Sequence, residues 1–312
     1  VLFNNHVNFT AEYYNKTTFD IIQSVGLPPN TGIQRPADLN VATVRNSGIE
    51  LQIGYNKKFG NVNFNASGNL TTVSNEVVKL NGGAPIGGEG GRIEEGYSMG
   101  YLWGYKVGGI FQNQAEIDKW NLAHNKGDAN IGSNTYKPGD MYFQDVHGNP
   151  KAGTKERFSP TPDSAVNAND RTYLGKTIAG FYYGFSVGAE YKNFDVSVFL
   201  QGVGDVQRYN YARSGMESMS GPANQWATTL NRWTPTNPSS TMPRAVFSDP
   251  YATGRFSSRY VENASYLRLK NIQIGYSLPA GVMSKLSFAQ KIRFYVSGVN
   301  LLTVTNLSLI HI

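Results

Sequence analysis

The most informative feature of the chain is a strict two-residue alternation of apolar and polar positions. From 181 to 191 the odd positions are Phe181, Tyr183, Phe185, Val187, Ala189 and Tyr191, and Gly184, Ser186, Gly188 and Glu190 lie between them. Successive side chains of an extended strand point to opposite faces, so this pattern predicts a strand with one apolar and one polar side. Lys192-Asn193 reads as a tight turn. Beyond it Phe194, Val196, Val198 and Leu200 alternate with Asp195, Ser197 and Gln201. The same alternation predicts strands at 7–13, 49–55, 62–70, 101–107, 272–278 and 292–296, for a total of about eight.

The connections between these strands also alternate, short then long. Short ones fall near 57–61, 192–193 and 279–290; long ones cover roughly 23–44, 76–98, 114–172 and 207–262. Strands of about ten residues with brief turns at one end and long loops at the other are the arrangement of an outer-membrane barrel. Tyr55, Tyr191, Phe194 and Tyr276 sit at strand ends, where an interfacial aromatic girdle would lie. The polar faces carry Asn, Gln, Ser and Gly rather than the Lys/Glu mixture of a water-facing sheet. The expected fold is therefore all-β: an antiparallel transmembrane β-barrel, incomplete, with long extracellular loops. Phe185, Val187, Val196, Val198, Ile272, Ile274 and Phe294 are expected to face lipid. Ser186, Glu190, Ser197, Gln201, Asn271 and Gln273 are expected to face the lumen. The rival reading is a secreted, soluble β-sheet domain that binds carbohydrate or acts as an adhesin. It requires the apolar faces to pack against a second sheet.

Composition narrows the choice further. Charged residues are scarce at 16%, while 19 Tyr and 16 Phe accompany 34 Gly, which does not suit a helical enzyme. The +6 net charge is spread along the chain without a Lys/Arg run, so no nucleic-acid partner is expected. There is no cysteine, which excludes disulfides, thiolate metal sites and cysteine nucleophiles. No apolar run is long enough for a transmembrane helix, so a membrane-spanning chain of this composition has to be a barrel.

No catalytic constellation stands out, and neither an enzyme nor a cofactor is expected. His6, His124, His147 and His311 lack metal-ligand spacing and read as loop or surface residues. Gly87-Gly88-Glu89-Gly90-Gly91 has no following Lys-Ser/Thr and reads as a flexible loop. Trp120, Trp226 and Trp233 fall in long connections, where an indole face can stack on a sugar ring, although packing within the loop or anchoring a protein contact is the favoured reading for each. Arg208, Arg213 and Arg232 add hydrogen-bonding capacity in the 207–262 segment, which is expected to touch both substrate and partner.

Six blocks go beyond pattern. They are Gly104-Tyr105-Lys106-Val107-Gly108-Gly109-Ile110-Phe111-Gln112; Lys137-Pro138-Gly139-Asp140-Met141 with Phe143-Gln144-Asp145; Asn169-Asp170-Arg171-Thr172-Tyr173-Leu174-Gly175; Tyr183-Gly184-Phe185 through Glu190-Tyr191-Lys192-Asn193-Phe194-Asp195 to Phe199-Leu200-Gln201-Gly202; Asn263-Ala264-Ser265-Tyr266-Leu267-Arg268-Leu269-Lys270-Asn271 with Ile274-Gly275-Tyr276; and Val296-Ser297-Gly298-Val299-Asn300-Leu301-Leu302-Thr303. In this order they resemble the carboxy-terminal barrel half of the SusC/RagA family of TonB-dependent outer-membrane transporters. The resemblance implies a barrel of about 22 strands around a plug, a SusD-like lipoprotein lid, energy delivered through the TonB complex, contact with outer-membrane lipid, and oligosaccharide or peptide substrates. It also implies that 1–312 is part of one barrel domain, with plug, TonB box and final strands lying outside it, and that the residues after Thr305 depart from the family pattern. After the Gly-Asp block the family commonly carries an Asp-Xaa-Asn-Gly-Asp-Gly-like loop. Here Asp145-Val146-His147-Gly148-Asn149-Pro150 interrupts that pattern, and Asp145, Asn149 and Asp170 are too few to hold a cation, so no metal is expected.

Overall fold

The computed structural model describes residues 6–25, 37–80, 84–148, 159–286 and 288–307. Its spine is one antiparallel sheet of the strands Val7–Val25, Ala37–Phe59, Val62–Thr72, Phe181–Tyr191, Phe194–Gly204, Tyr266–Ser277 and Arg293–Thr305, each beside the next in chain order. An eighth strand, Ser74–Leu80, pairs with the upper half of Ala37–Phe59. The two outermost strands do not pair with each other among the described residues, so the sheet is an open wall rather than a closed barrel.

Turn chemistry explains the short end. Gly60 takes a φ of +58° between the second and third strands, and Lys192 takes +53° in the two-residue hairpin with Asn193. Positive φ at a tight hairpin turn matches the right-handed twist of the flanking strands. The third connection at this end, 278–292, carries the helical turn Ala280–Met283, and the long segments 73–180 and 205–265 leave from the opposite end.

Register turns the sequence alternation into continuous rows across the wall. One row reads Val7, Tyr55, Ala66, Val187, Val198, Ile272, Gly298; another reads Phe9, Ile53, Gly68, Phe185, Leu200, Leu269, Leu302. At the short-turn end the row is Phe59, Val62, Tyr191, Phe194, Tyr276, Phe294. These rows share one face, on which Phe294 is 62% and Val296 79% exposed. The other face carries Thr10, Gln52, Asn69, Gly184, Gln201, Arg268 and Thr303 in one row. Among the described residues no second sheet covers the apolar face, which removes the packing that the soluble rival requires.

A bulge keeps the rows in phase. Phe199 pairs with Asn271 but Leu200 pairs with Leu269, which leaves Lys270 unopposed. The sequence shows the same shift, since apolar residues occupy odd positions at Leu267 and Leu269 and even positions at Ile272, Ile274 and Tyr276. An extra residue in one strand is what returns each set to its own face.

Several sequence expectations are corrected. The stretch 101–107 is not a wall strand. Tyr101–Tyr105 is buried on both sides in a separate four-stranded sheet with Ile86–Gly87, Gly90–Ile93 and Arg171–Gly175. Alternation within a strand buried on both faces carries no information about lipid. The segment 23–44 is not mainly loop, because the first two strands pair up to Val25 and Ala37 and form a ribbon longer than a membrane crossing needs. The Gly87–Gly91 stretch is ordered into that small sheet, with Gly87 at φ +88° and its Cα against the Gly91 carbonyl, where a Cβ would sit 2.4 Å away.

The long segments fold together into a crown with its own core of Tyr105, Ile110, Phe111, Ile117, Trp120, Ile131, Tyr136, Met141, Phe143, Val166 and Tyr251. It contains the helix Gln114–Ala123, capped by the Asn113 side chain accepting from the Glu116 N–H, and a two-stranded pair, Val107–Ile110 with Met141–Phe143. A smaller core of Ala42, Val44, Val77 and Leu80 joins the crown to the top of the wall.

Candidate functional site

The motif blocks are the points where the crown is clamped. At Gly104 an added Cβ would lie 2.4 Å from the Phe256 carbonyl oxygen, and the adjacent Tyr105 N–H donates to that same oxygen at 3.0 Å. Only glycine allows this approach of 101–105 to the 255–260 segment. Gly139, at φ +90°, lies so close beneath the Trp233 ring that a Cβ would sit 2.4 Å from it. Asp140, next in the chain, is fully buried and accepts from both Nε and Nη2 of Arg244, at 2.6 and 3.2 Å, and from the Lys137 N–H at 2.7 Å. The paired geometry ties 137–141 to 233–244.

Two further carboxylates act in the same way. Asp128 is completely buried and accepts from Arg255 at 3.1 Å, from the Tyr136 hydroxyl at 2.7 Å and from the Asn130 amide. The Arg255 guanidinium lies 3.9 Å above the Phe143 ring, so charge and core packing meet at one side chain. Asp170 accepts from the backbone N–H groups of Val146, His147 and Asn167 at 2.8, 3.0 and 2.7 Å. Burial pushes the Asp170 carboxyl above its ordinary range, and the three backbone donors oppose that shift. Asp145 accepts from the Ser164 N–H at 2.7 Å. Asp145 and Asp170 are thus occupied by backbone, and Asn149 lies outside the described residues. Among the described residues no three His, Asp or Glu side chains gather as a metal would need.

The structure divides the candidate contact residues into two groups. Trp120 is buried in the crown core, packed edge-on to Phe111 and Tyr136 and stacked on His124. It is not presented as a contact, because a helix carries it inward, where its large apolar surface stabilises the crown. Trp233 lies half-buried against the same core, with Nε1 donating to the Gln112 side-chain oxygen at 3.1 Å. Arg213 is also structural. It bridges Glu217 at 2.9 Å and Glu262 at 3.2 Å, and these carboxylates outweigh burial to hold its guanidinium above its ordinary value. Trp226 is half-buried at the start of a short helical turn, while Arg208 and Arg232 are exposed. The 207–262 segment is therefore a folded body with Glu217 at its centre, paired to Arg213 and Arg259. Of the histidines, His124 closes the crown helix and His147 contacts the Asn169 carbonyl; His311 lies outside the described residues.

Sequence reasoning missed the exposed tyrosines of the crown. Tyr97 and Tyr173 stack near buried Tyr101, with Tyr97 and Tyr101 centroids 4.7 Å apart. Burial, then the hydrogen bond to Glu94, pushes the Tyr101 hydroxyl up; burial, then Asp128, does the same for Tyr136. Tyr211 is exposed beside Tyr209 and Phe256, which stack at 3.9 Å. Below the crown the polar face of the wall forms a hollow lined by Thr10, Glu12, Glu50, Gln52, Asn69 and Ser186, with Glu12 directly opposite Glu50.

No family model matches the chain. Among curated proteins it is 31% identical over 98% of its length to TonB-dependent receptor P3 of Formosa agariphila. It is 25% identical over 88% of its length to TonB-dependent receptor SusC of Bacteroides thetaiotaomicron. Among solved structures it resembles the RagAB peptide transporter, with a TM-score of 0.74 and 24% identity over 97% of the chain, a likeness of fold. The chain spans 28% and 24% of the two curated relatives and 30% of the solved chain.

Proposed function

We propose that this chain, which belongs to the SusC/RagA family of TonB-dependent receptors, forms part of the wall and extracellular crown of an outer-membrane nutrient importer. The observation that carries the reading is the set of unbroken cross-strand rows: exposed apolar residues on one face, ending in an aromatic row at the short turns, and Asn, Gln, Ser and Thr on the other. An apolar face left uncovered over seven strands suits lipid, where all backbone groups must be paired between strands. The polar face then borders the lumen, the short turns are periplasmic and the crown stands at the outer mouth.

In the whole protein this wall would close with further strands around a plug, in one barrel domain that includes 1–312. Import would be driven through the TonB complex, with a SusD-like lipoprotein as lid. Peptides are proposed as substrates on the name of the RagAB peptide transporter, and oligosaccharides on the family resemblance alone. The reading makes the chain a transport component rather than an enzyme. Arg208, Arg232 and Trp226, with Tyr97, Tyr173 and Tyr211, are among the described crown side chains open to substrate or lid.

The test uses a strain lacking the full-length gene and complemented by it. The protein is expected in the outer membrane after carbonate washing, and growth on at least one oligosaccharide or peptide source is expected to depend on the gene and on TonB. Release by the wash, or growth unchanged on every such source, contradicts the proposal.

A further inference from the structure

The short-turn rim of the apolar face carries charge of one sign only. In the three rows nearest the turns this face holds Tyr55, Lys57, Phe59, Val62, Phe64, Tyr191, Phe194, Ile274, Tyr276, Phe294 and Val296 among others, with no Asp or Glu. The nearby carboxylates, Glu190 and Asp195, lie opposite each other on the polar face. Lys57 stands in the row of Phe64, Ala189 and Val196, one row inside the aromatic end, and its Nζ lies 5.1 Å from the centroid of the Phe59 ring. Lys192, in the neighbouring turn, has its Nζ 5.2 Å from the centroid of the Tyr191 ring. Both lysines are exposed.

An ammonium held over an aromatic ring at the edge of an apolar surface sits where headgroups meet hydrocarbon. With the ring below and no carboxylate on its own face, its remaining N–H donors point outward to an anionic acceptor. Resting on the reading of this face as lipid-facing, we infer that Lys57 with Phe59 and Lys192 with Tyr191 form a rim that selects anionic phospholipid headgroups in the leaflet at the short-turn end. Charge complementarity names the occupant: the phosphodiester and its ring-flanking acyl chains match a cation backed by an aromatic face.

Lys58 supplies an internal control. It is one residue from Lys57 in the same strand, is also exposed, and pairs with Asn63 on the polar face. It therefore carries the same charge at the same depth on the opposite side of the wall.

The test reconstitutes the full-length transporter in bilayers of phosphatidylcholine with a minority of spin-labelled phosphatidylglycerol or spin-labelled phosphatidylcholine. The ratio of motionally restricted label gives the preference for the anionic lipid. The wild type is expected to prefer phosphatidylglycerol, and Lys57→Gln with Lys192→Gln is expected to lower that preference about fivefold. High salt should weaken it in the wild type alone, and Lys58→Gln should leave it unchanged. Heat-modifiable gel migration confirms that each variant is folded. Equal preference in the wild type and the folded double variant overturns the inference and leaves the face assignment standing. A loss caused by Lys58→Gln and not by the double variant overturns the face assignment itself.

Discussion

The wall and the crown use apolar residues in opposite ways. In the wall, Phe194 and Ile274 keep more than half of their surface exposed, although they sit in strands paired on both sides. In the crown, Tyr105, Phe111, Phe143 and Val166 keep almost none. The wall is thus ordered by backbone pairing and expects its hydrophobic partner from outside the chain, whereas the crown supplies its own. Buried charge follows the same division. Asp128 with Arg255 and Asp140 with Arg244 lie inside the crown, where each replaces lost hydration with a directed ion pair. An ion pair of the wall, Asp195–Arg293, lies on the polar face, where water remains available. Substitutions that remove an internal partner should therefore damage the crown alone, and substitutions that change the external solvent preference should damage the wall alone.

The sharpest break is expected at Asp128. Asp128→Ala strands the Arg255 guanidinium in the crown core, and losing one partner of a buried pair costs about 3–5 kcal/mol. Hydrogen exchange on the full-length protein should show amides of the crown, such as Ile131 and Val166, opening early while the 181–204 hairpin stays protected. Next in size is a contrast within the wall. Val198→Arg near the middle of the apolar face should cost about 2–4 kcal/mol of barrel stability in bilayers. Ser197→Arg, one residue away on the polar face, should cost far less. Equal costs would remove the distinction between the faces.

A smaller effect is expected at high pH. Burial raises the hydroxyls of Tyr101, Tyr136, Tyr209 and Tyr260 above the ordinary tyrosine value of 10.0. A group that holds its proton more tightly when folded contributes stability that is complete below the unfolded value and is lost as pH rises above it. The crown should therefore loosen above about pH 10. A pH series of limited proteolysis checks this, with cleavage expected between 101 and 260 before any loss of the heat-resistant barrel band.

The sequence made the wall legible because a half-exposed strand writes its two environments onto alternate residues. The hairpin 181–204 needs nothing more than Phe185, Val187, Val196 and Val198 set against Ser186 and Ser197. The crown was not legible in the same way. Tyr101–Tyr105 alternates as clearly as a wall strand but is buried on both faces, so the pattern points to the wrong neighbour. The carboxylate–arginine clamps join residues 104 and 127 positions apart, a distance over which no local pattern operates. Trp120 illustrates the consequence: read along the chain it is an aromatic in a long loop, yet a capped helix turns it into the core. The glycines gave a usable signal, since Gly104 and Gly139 in the motif blocks mark the places where backbone or ring comes too close for any Cβ.

The central claim, that one face of the wall meets lipid and the other meets water, is open to one direct measurement. Residues 1–312 contain no cysteine, so single cysteines can be placed at each position from 194 to 201 of the full-length protein once any cysteine outside this segment has been replaced by serine. In intact outer membranes, a membrane-partitioning thiol reagent should label positions 194, 196, 198 and 200. A water-soluble maleimide should label 195, 197 and 201 once the lumen is accessible. A period of two that places Val196, Val198 and Leu200 in the lipid phase is the predicted result. Labelling by the water-soluble reagent at all eight positions, or without alternation, would contradict it.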